Sequence, residues 1–304
     1  MVLRFDATFR SRATPIRDSS APIITSRRNP LVRRLRNLGT RRGREEHQLL
    51  LLEGTHLLQE VLRGIDRAFE GALEVIATND WLNAHEELLT HLPDQTVLHQ
   101  VSPEVLAASL TTVTPDGVAT IVSLDVLPHQ AFAQTLILAL DRLQDPGNLG
   151  SLFRTSLAAD VDCLWMASGA DPLSPKVLRS SAGSVLNLPF RRFGPSEPEG
   201  VEQLVIHLRH AVNQGMQVVM TLLPDTEGIE KIIPYWELEW QRPTVLVLGN
   251  EGSGVHPDLH SVCTHAITLP HSSAVESLNV AAAAVPLLLE RRRVKMTAAL
   301  QQPG

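Results

Sequence analysis

Apolar and polar positions change rhythm several times along the 304-residue chain. From about Ile23, the stretch ITSRRNPLVRRLRNLGTRRGREE sets Leu31, Leu35 and Leu38 at helical spacing, with arginines on the other faces. That pattern predicts a basic amphipathic helix ending at Gly39 or Gly43. LLLLEGTHLLQEVL then passes from a buried strand into a helix, EVIAT reads as a strand and WLNAHEELLTHL as a helix. TVLHQVS is strand-like, SPEVLAASL opens a helix with Ser102 as N-cap and Pro103 in the first turn, and VATIVSL closes the series as a strand. This alternation predicts a small α/β domain over residues 22–125. A linker over residues 126–134, marked by Pro128, follows it.

The second half alternates more regularly. TLILAL is a continuous apolar strand, and the next helix sets Leu149, Leu152, Phe153, Ser156 and Leu157 on one face with Arg154 pointing away. Strands follow at VDCLWMA, QVVMTLL, TVLVLG and AITLP; helices follow near Pro175–Ala182, Val201–Asn213 and Ser277–Arg293. Short apolar strands separated by helices predict a parallel sheet covered on both faces, over residues 135–304.

Composition narrows the class. With 43% hydrophobic and 20% charged residues the chain reads as a globular protein long enough for two cores. The longest apolar run, Val280 to Leu289, holds Pro286 and is too short to span a bilayer, so no membrane is expected. Cys163 and Cys263 form no metal-type pair, which suggests a reducing, cytoplasmic setting. His256 and His260 are four apart but lack a carboxylate motif, so no metal is expected either.

The net charge of −6 conceals a polarity. Residues 1–47 carry twelve arginines against four acids, a balance of +8, and the remainder carries −14. A basic front on an acidic body points to a polyanionic partner, because guanidinium forks grip phosphates and release counterions. Arg27, Arg28, Arg33, Arg34, Arg41 and Arg42 are the candidate RNA-binding residues. Residues 1–21 read as a flexible basic segment. Residues 1–20 fit either a solvated tail or a transit peptide, with Asp6 and Asp18 against the latter.

Three strand-to-helix turns hold the candidate chemistry, at the strand ends where parallel sheets bind ligands. The first, LDRLQDPGNLGSLFRTS, contains Asn148 and places Arg154 as the only cation on the early turns of its helix. Alone, it is equally an ordinary capped helix with a solvated arginine. The second, LVLGNEGSGV, has the order G-x-x-G-x-G, neither the dinucleotide fingerprint nor a P-loop, which argues against a nucleotide-dependent metabolic enzyme. Its single carboxylate, Glu251, suits a neutral or cationic ligand. The third, ITLPHSSAVESLNVAAAAVPLLLE, places Ser277 where an Ala-rich helix begins, so that Ser277 is also a plausible N-cap.

Taken together, DPGNLGSLFR, LVLGNEGSGV and LPHSSAVESLNVAAAAV resemble the three conserved motifs of the SpoU (TrmH-like) family of SPOUT RNA 2′-O-ribose methyltransferases. KVLRSSAGSVLNLPF is similar to the segment between them, and the resemblance runs over roughly residues 136–290. SRRNPLVRRL and LLLLEGTHLLQEVL are similar to the ribosomal-protein-like substrate-binding domain that often precedes this fold.

The resemblance implies a parallel α/β sheet with a C-terminal trefoil knot, S-adenosylmethionine as cofactor, and a homodimer. It implies catalytic roles for Arg154, Asn148, Glu251, Ser277 and Asn279, and cofactor contacts at Leu222, Gly249, Leu269 and Leu278. The substrate is expected to be RNA, with ribosomal RNA favoured over transfer RNA by the basic N-terminal domain. The alternative is an RNA-binding protein that keeps the fold without catalysis. Two positions depart from the third motif: His271 stands where Met is common, and Ser273 where Gly is common.

Overall fold

The computed structural model describes residues 22–65, 71–128, 134–224, 226, 228–229 and 231–301. The basic segment 1–21 and positions 129–133 of the expected linker lie outside the described residues.

In the N-terminal half, helices α1 (Pro30–Leu38) and α2 (Arg41–His47) precede strand β1 (Leu49–Glu53) and helix α3 (Thr55–Gly64). Strand β2 (Leu73–Ala77), helices α4 (Asn79–Ala84) and α5 (Glu86–Leu89), strand β3 (Val97–Gln100), helix α6 (Pro103–Ser109) and strand β4 (Val118–Ser123) complete it. The sheet order is β1-β4-β2-β3, with β4 antiparallel to both neighbours and β2 parallel to β3. The basic helix ends at Gly39, one of the two expected stops, and a second helix follows it. Asn29 caps α1 and Thr40 caps α2, so the Gly39–Thr40 corner stops one helix and starts the next. The WLNAHEELLTHL helix is broken at His85, whose Nδ1–H donates to the Trp81 carbonyl at 2.9 Å and whose ring stacks on that of Trp81.

Leu31, Leu35 and Leu38 are buried beneath α1 as the spacing required. Arg34, half-buried on the same helix, forks onto Glu74 at 2.9 and 2.7 Å, and His99 reaches the same carboxylate at 3.0 Å. The His99 hydrogen bond, then the Arg34 fork, hold the Glu74 carboxyl at about 2, against the opposing pull of burial. A carboxyl depressed in the fold stabilises it above its ordinary range and loses that contribution as pH falls towards the folded value. The urea midpoint of Glu74→Gln is therefore expected to lie below wild type above pH 4.5 and to converge with it near pH 2. A constant difference across that interval would contradict this.

The C-terminal half contains β5 (Leu136–Asp141), α7 (Pro146–Ala158), β6 (Cys163–Ala167), α8 (Pro175–Ser180), β7 (Phe190–Phe193), α9 (Glu197–Asn213), β8 (Gln217–Thr221), β9 (Ile232–Pro234), β10 (Thr244–Leu248), α10 (Pro257–His260), β11 (His265–Thr268) and α11 (Val280–Gln301). Among the described residues its seven strands run in the order β7-β6-β5-β10-β8-β11-β9, every pairing parallel. Leu149, Leu152, Phe153 and Ser156 of α7 face the core. Leu157, expected beside them, is instead 38% exposed. It shares the outer surface with Arg154, because the core contact of α7 narrows at its last turn. Strands β7 and β9 had no expectation, one being half polar (FRRF) and the other three residues long.

Candidate active site

The turn leaving β5 enters α7 through Asp145, whose Oδ1 accepts the Asn148 amide at 2.8 Å, with Pro146 in the first turn. Aspartate and proline at these positions satisfy and pre-set a helix start, so the turn is fixed before any ligand is considered. The turn leaving β10 brings Glu251 onto it. Glu251 accepts the backbone N–H of Gln144 at 3.3 Å and of Asp145 at 3.2 Å, and the Asn148 side-chain amide at 3.2 Å. The loop leaving β11 supplies the third part: Asn279 Nδ2 donates to Asn148 Oδ1 at 2.9 Å. Residues 131 apart in sequence thus meet through a run of hydrogen bonds, Asn279 to Asn148 to Glu251.

Asn279 also caps α11, its Oδ1 accepting Ala281 N at 3.0 Å and Ala282 N at 3.1 Å. Ser277 does not hold the helix start that the sequence allowed it; it lines the groove two residues earlier. Gln144, Asp145, Asn148, Glu251, Ser277 and Asn279 border this groove of about 600 Å³, with Leu278 and Val280 as its apolar rim.

Three residues absent from the expectations hold the second turn in place. Asp141, fully buried at the end of β5, accepts Arg142 Nε at 2.9 Å and the His256 amide at 2.7 Å. Arg142, at φ 55°, reaches Glu197 at 3.1 Å and the Ser253 hydroxyl at 3.3 Å, and the Asp141 hydrogen bond raises its pKa. Asn250 Oδ1 accepts Gly252 N at 2.9 Å and Ser253 N at 3.1 Å, while its Nδ2 donates to the Arg142 carbonyl at 2.8 Å. An asparagine inside a glycine turn folds its side chain onto the following amides, and that is the signal that could have found Asn250.

The cofactor candidates divide. Leu278 lines the groove. Leu222, Gly249 and Leu269 lie just past the carboxyl ends of β8, β10 and β11, three neighbouring strands, with Leu222 N donating to Ile267 O at 2.9 Å. A Cβ built on Gly249 would stand 2.3 Å from the Gly254 carbonyl carbon, so the two backbones cross with no room for a side chain. Beside Leu269, the buried Thr268 hydroxyl has no hydrogen-bond partner among the described residues. A tight backbone cradle and an orphan hydroxyl at the ligand-binding edge of a parallel sheet fit a bound small molecule. His271 Nδ1 lies 2.9 Å from the Leu269 carbonyl oxygen, and Ser273 is exposed, so both departures from the motif sit on this loop.

Arg154 is not in the groove. It stands exposed on α7, with no hydrogen bond or ion pair among the described residues. Among the RNA-binding candidates, Arg27, Arg28, Arg33 and Arg42 are exposed, Arg41 pairs with Glu45 on its own helix, and Arg34 is engaged with Glu74. Among the described residues no group of His, Cys, Asp and Glu is placed to hold a metal, and no helix is long and apolar enough to cross a membrane.

Comparison with known proteins follows this division of the chain. Residues 135–288 match the SpoU rRNA Methylase family, and residues 29–120 match an MRM3-like substrate binding domain. The chain is 39% identical to an uncharacterized tRNA/rRNA methyltransferase of Synechocystis over 90% of this chain and 95% of that one. It is 30% identical to the 23S rRNA (guanosine(2553)-2′-O)-methyltransferase RlmP of Bacillus subtilis, over 88% and 98%. The AdoMet-bound rRNA methyltransferase of Sinorhizobium meliloti superposes with a TM-score of 0.71 at 26% identity, covering 90% of this chain and 98% of that one. Motifs, groove and likeness along nearly the whole length agree: the chain belongs to the SpoU rRNA methylase family.

Proposed function

We propose that this protein methylates a ribose 2′-hydroxyl of ribosomal RNA, using S-adenosylmethionine. The observation that carries the reading is the hydrogen-bonded run Asn279–Asn148–Glu251, which joins the three motifs at the ligand edge of the sheet. Relatives and solved neighbours named for rRNA 2′-O-methylation and for bound AdoMet support it.

Leu222, Gly249, Leu269 and Leu278 would hold the cofactor, chiefly through backbone groups. When bound, it supplies a methyl group already activated by its sulfonium centre. The task left to the protein is to orient the ribose and remove one proton. Asn148 and Asn279 present amides to the sugar, Glu251 locks the Asn148 rotamer, and Ser277 offers a hydroxyl to the same cluster. Arg154 grips the phosphate and ribose of the target nucleotide. A guanidinium is a poor base, so its contribution is chiefly anchorage; with the phosphate's help it takes the hydroxyl proton and passes it to solvent.

Arg154 performs that role in the groove of a second copy. Val285, Leu289 and Met296, all exposed, recur along one face of α11, an apolar stripe suited to a homodimer. In this reading α11 follows a loop threaded as a trefoil knot. Residues 22–125 bind RNA through Arg27, Arg28, Arg33, Arg41 and Arg42, residues 126–134 join them to the catalytic part at 135–304, and the enzyme works without metal, in the cytoplasm.

Transfer of labelled methyl groups from S-adenosylmethionine to rRNA and to tRNA, followed by digestion to nucleosides, tests the reading. Label in 2′-O-methylnucleosides from rRNA is the expected result. Label confined to tRNA would move the substrate. Binding of RNA without transfer would leave a non-catalytic RNA-binding protein.

A further inference from the structure

A buried carboxylate joins the two halves. Glu53 ends β1 with its side chain 2% exposed, and accepts Thr111 N at 2.9 Å, the Thr111 hydroxyl at 2.8 Å, Thr112 N at 3.0 Å and the Thr112 hydroxyl. Those donors belong to its own half. The cation does not: Arg179 Nη1, on α8 of the C-terminal half, donates to Glu53 at 2.7 Å and to the Thr111 hydroxyl at 2.9 Å. Buried carboxylates are costly unless paired and fully hydrogen-bonded, so this cluster has one well-defined geometry.

Other contacts land on the same stretch, residues 171–187. Arg44, 3% exposed, pairs with Asp171 while donating to the Leu38 and Gly39 carbonyls. The imidazole of His56 meets the Ala182 carbonyl at 3.2 Å, and Asn187 reaches Glu60 at 3.4 Å. On its opposite side this stretch is pressed against the catalytic helix. The Ser180 hydroxyl donates to the Pro146 carbonyl at 3.1 Å, and a Cβ on Gly150 would fall 1.9 Å from that hydroxyl oxygen. Asn148 lies two residues from each contact. A packed route therefore runs from Glu53 through Arg179, Ser180 and Pro146 to Asn148.

We propose that Arg179 and Glu53 form a latch that fixes the angle at which the N-terminal half presents RNA to the Asn148 groove, which makes both of them positioning residues for methyl transfer. The proposal rests on the functional reading above. The RNA-gripping arginines lie on one side of the latch and the reacting groups on the other. Loosening it leaves RNA and cofactor affinity intact but misplaces the ribose, and a misplacement of about 1 Å can lower a rate about a hundredfold.

The test is single-turnover methylation of an unmodified large-subunit rRNA transcript at saturating S-adenosylmethionine, with the dissociation constants of both measured separately. Arg179→Met is expected to lower the rate by roughly ten- to a hundredfold, with both constants within about twofold of wild type. Arg179→Lys, whose ammonium can still meet Glu53 and Thr111, is expected to recover most of the rate. Should Arg179→Met fail to fold, Glu53→Gln, which keeps the shape and one of the two acceptor oxygens, is read in the same way. A normal rate, a loss that follows either affinity, or an equal loss in Arg179→Lys overturns the latch. An inactive wild type overturns the functional reading and the latch with it; an active wild type beside a normal Arg179→Met overturns the latch alone.

Discussion

Arg154→Ala is expected to lower methyl transfer by roughly two to three orders of magnitude, the loss seen when one preorganised donor is removed from a reacting centre. The same change should leave S-adenosylmethionine affinity and thermal stability close to wild type. The physical ground is the position of the side chain. Arg154 is exposed and makes no hydrogen bond or ion pair among the described residues, while its neighbours Leu152 and Phe153 anchor the helix. Exposed residues without such partners change stability by about 0.5 kcal/mol or less. An arginine that makes no hydrogen bond or ion pair with the described residues is free to act on a substrate. Near-normal turnover in Arg154→Ala, or a matching loss of cofactor affinity, would contradict this role.

Gly249→Ala is expected to abolish cofactor binding at millimolar S-adenosylmethionine while leaving most of the fold in place. The added Cβ would meet the Gly254 carbonyl carbon at 2.3 Å and Val255 N at 2.5 Å. Both are backbone atoms, and the turn that carries them is tied down by Asn250 and Arg142. No flexible side chain can yield, so the turn itself must open and Glu251 must leave Asn148. Calorimetric titration checks it; wild-type affinity in Gly249→Ala would mean that the crossing of residues 249 and 254 is not part of the cofactor site.

The strongly periodic elements were legible because each obeys a local rule. The apolar runs of β5, β6, β8 and β10 need burial on both faces, and Leu31, Leu35 and Leu38 need one core-facing stripe. What escaped was decided over long sequence distances or in very short segments. Arg34 belongs to the arginine cluster by sequence, yet Glu74, forty positions away, captures it. Arg44 adds to the basic count yet is buried against Asp171, 127 positions away. Three-residue β9 exists because β11 offers it an edge, and the helix after Gly39 starts from a new cap at Thr40 that the apolar spacing does not mark.

The candidate site was legible through its motifs, which place Asn148, Glu251 and Asn279 in three turns. Their convergence was expected from the family resemblance alone, since local pattern does not give the order in which β5, β10 and β11 enter the sheet. The brace of Asp141, Arg142 and Asn250 lay hidden for the opposite reason. Its residues are polar neighbours of the motifs, and only the fold separates the three that hold the turn from those that face the groove. Arg154 was singled out as a cation on an otherwise apolar helix, but nothing local says which groove it serves.

The most direct measurement is a map of 2′-O-methylated nucleotides in rRNA from cells that have the gene, lack it, or carry Arg154→Ala in its place. One nucleotide modified in the first and bare in the other two is the expected pattern. An identical map in all three would contradict a ribose methyltransferase acting on ribosomal RNA through Arg154.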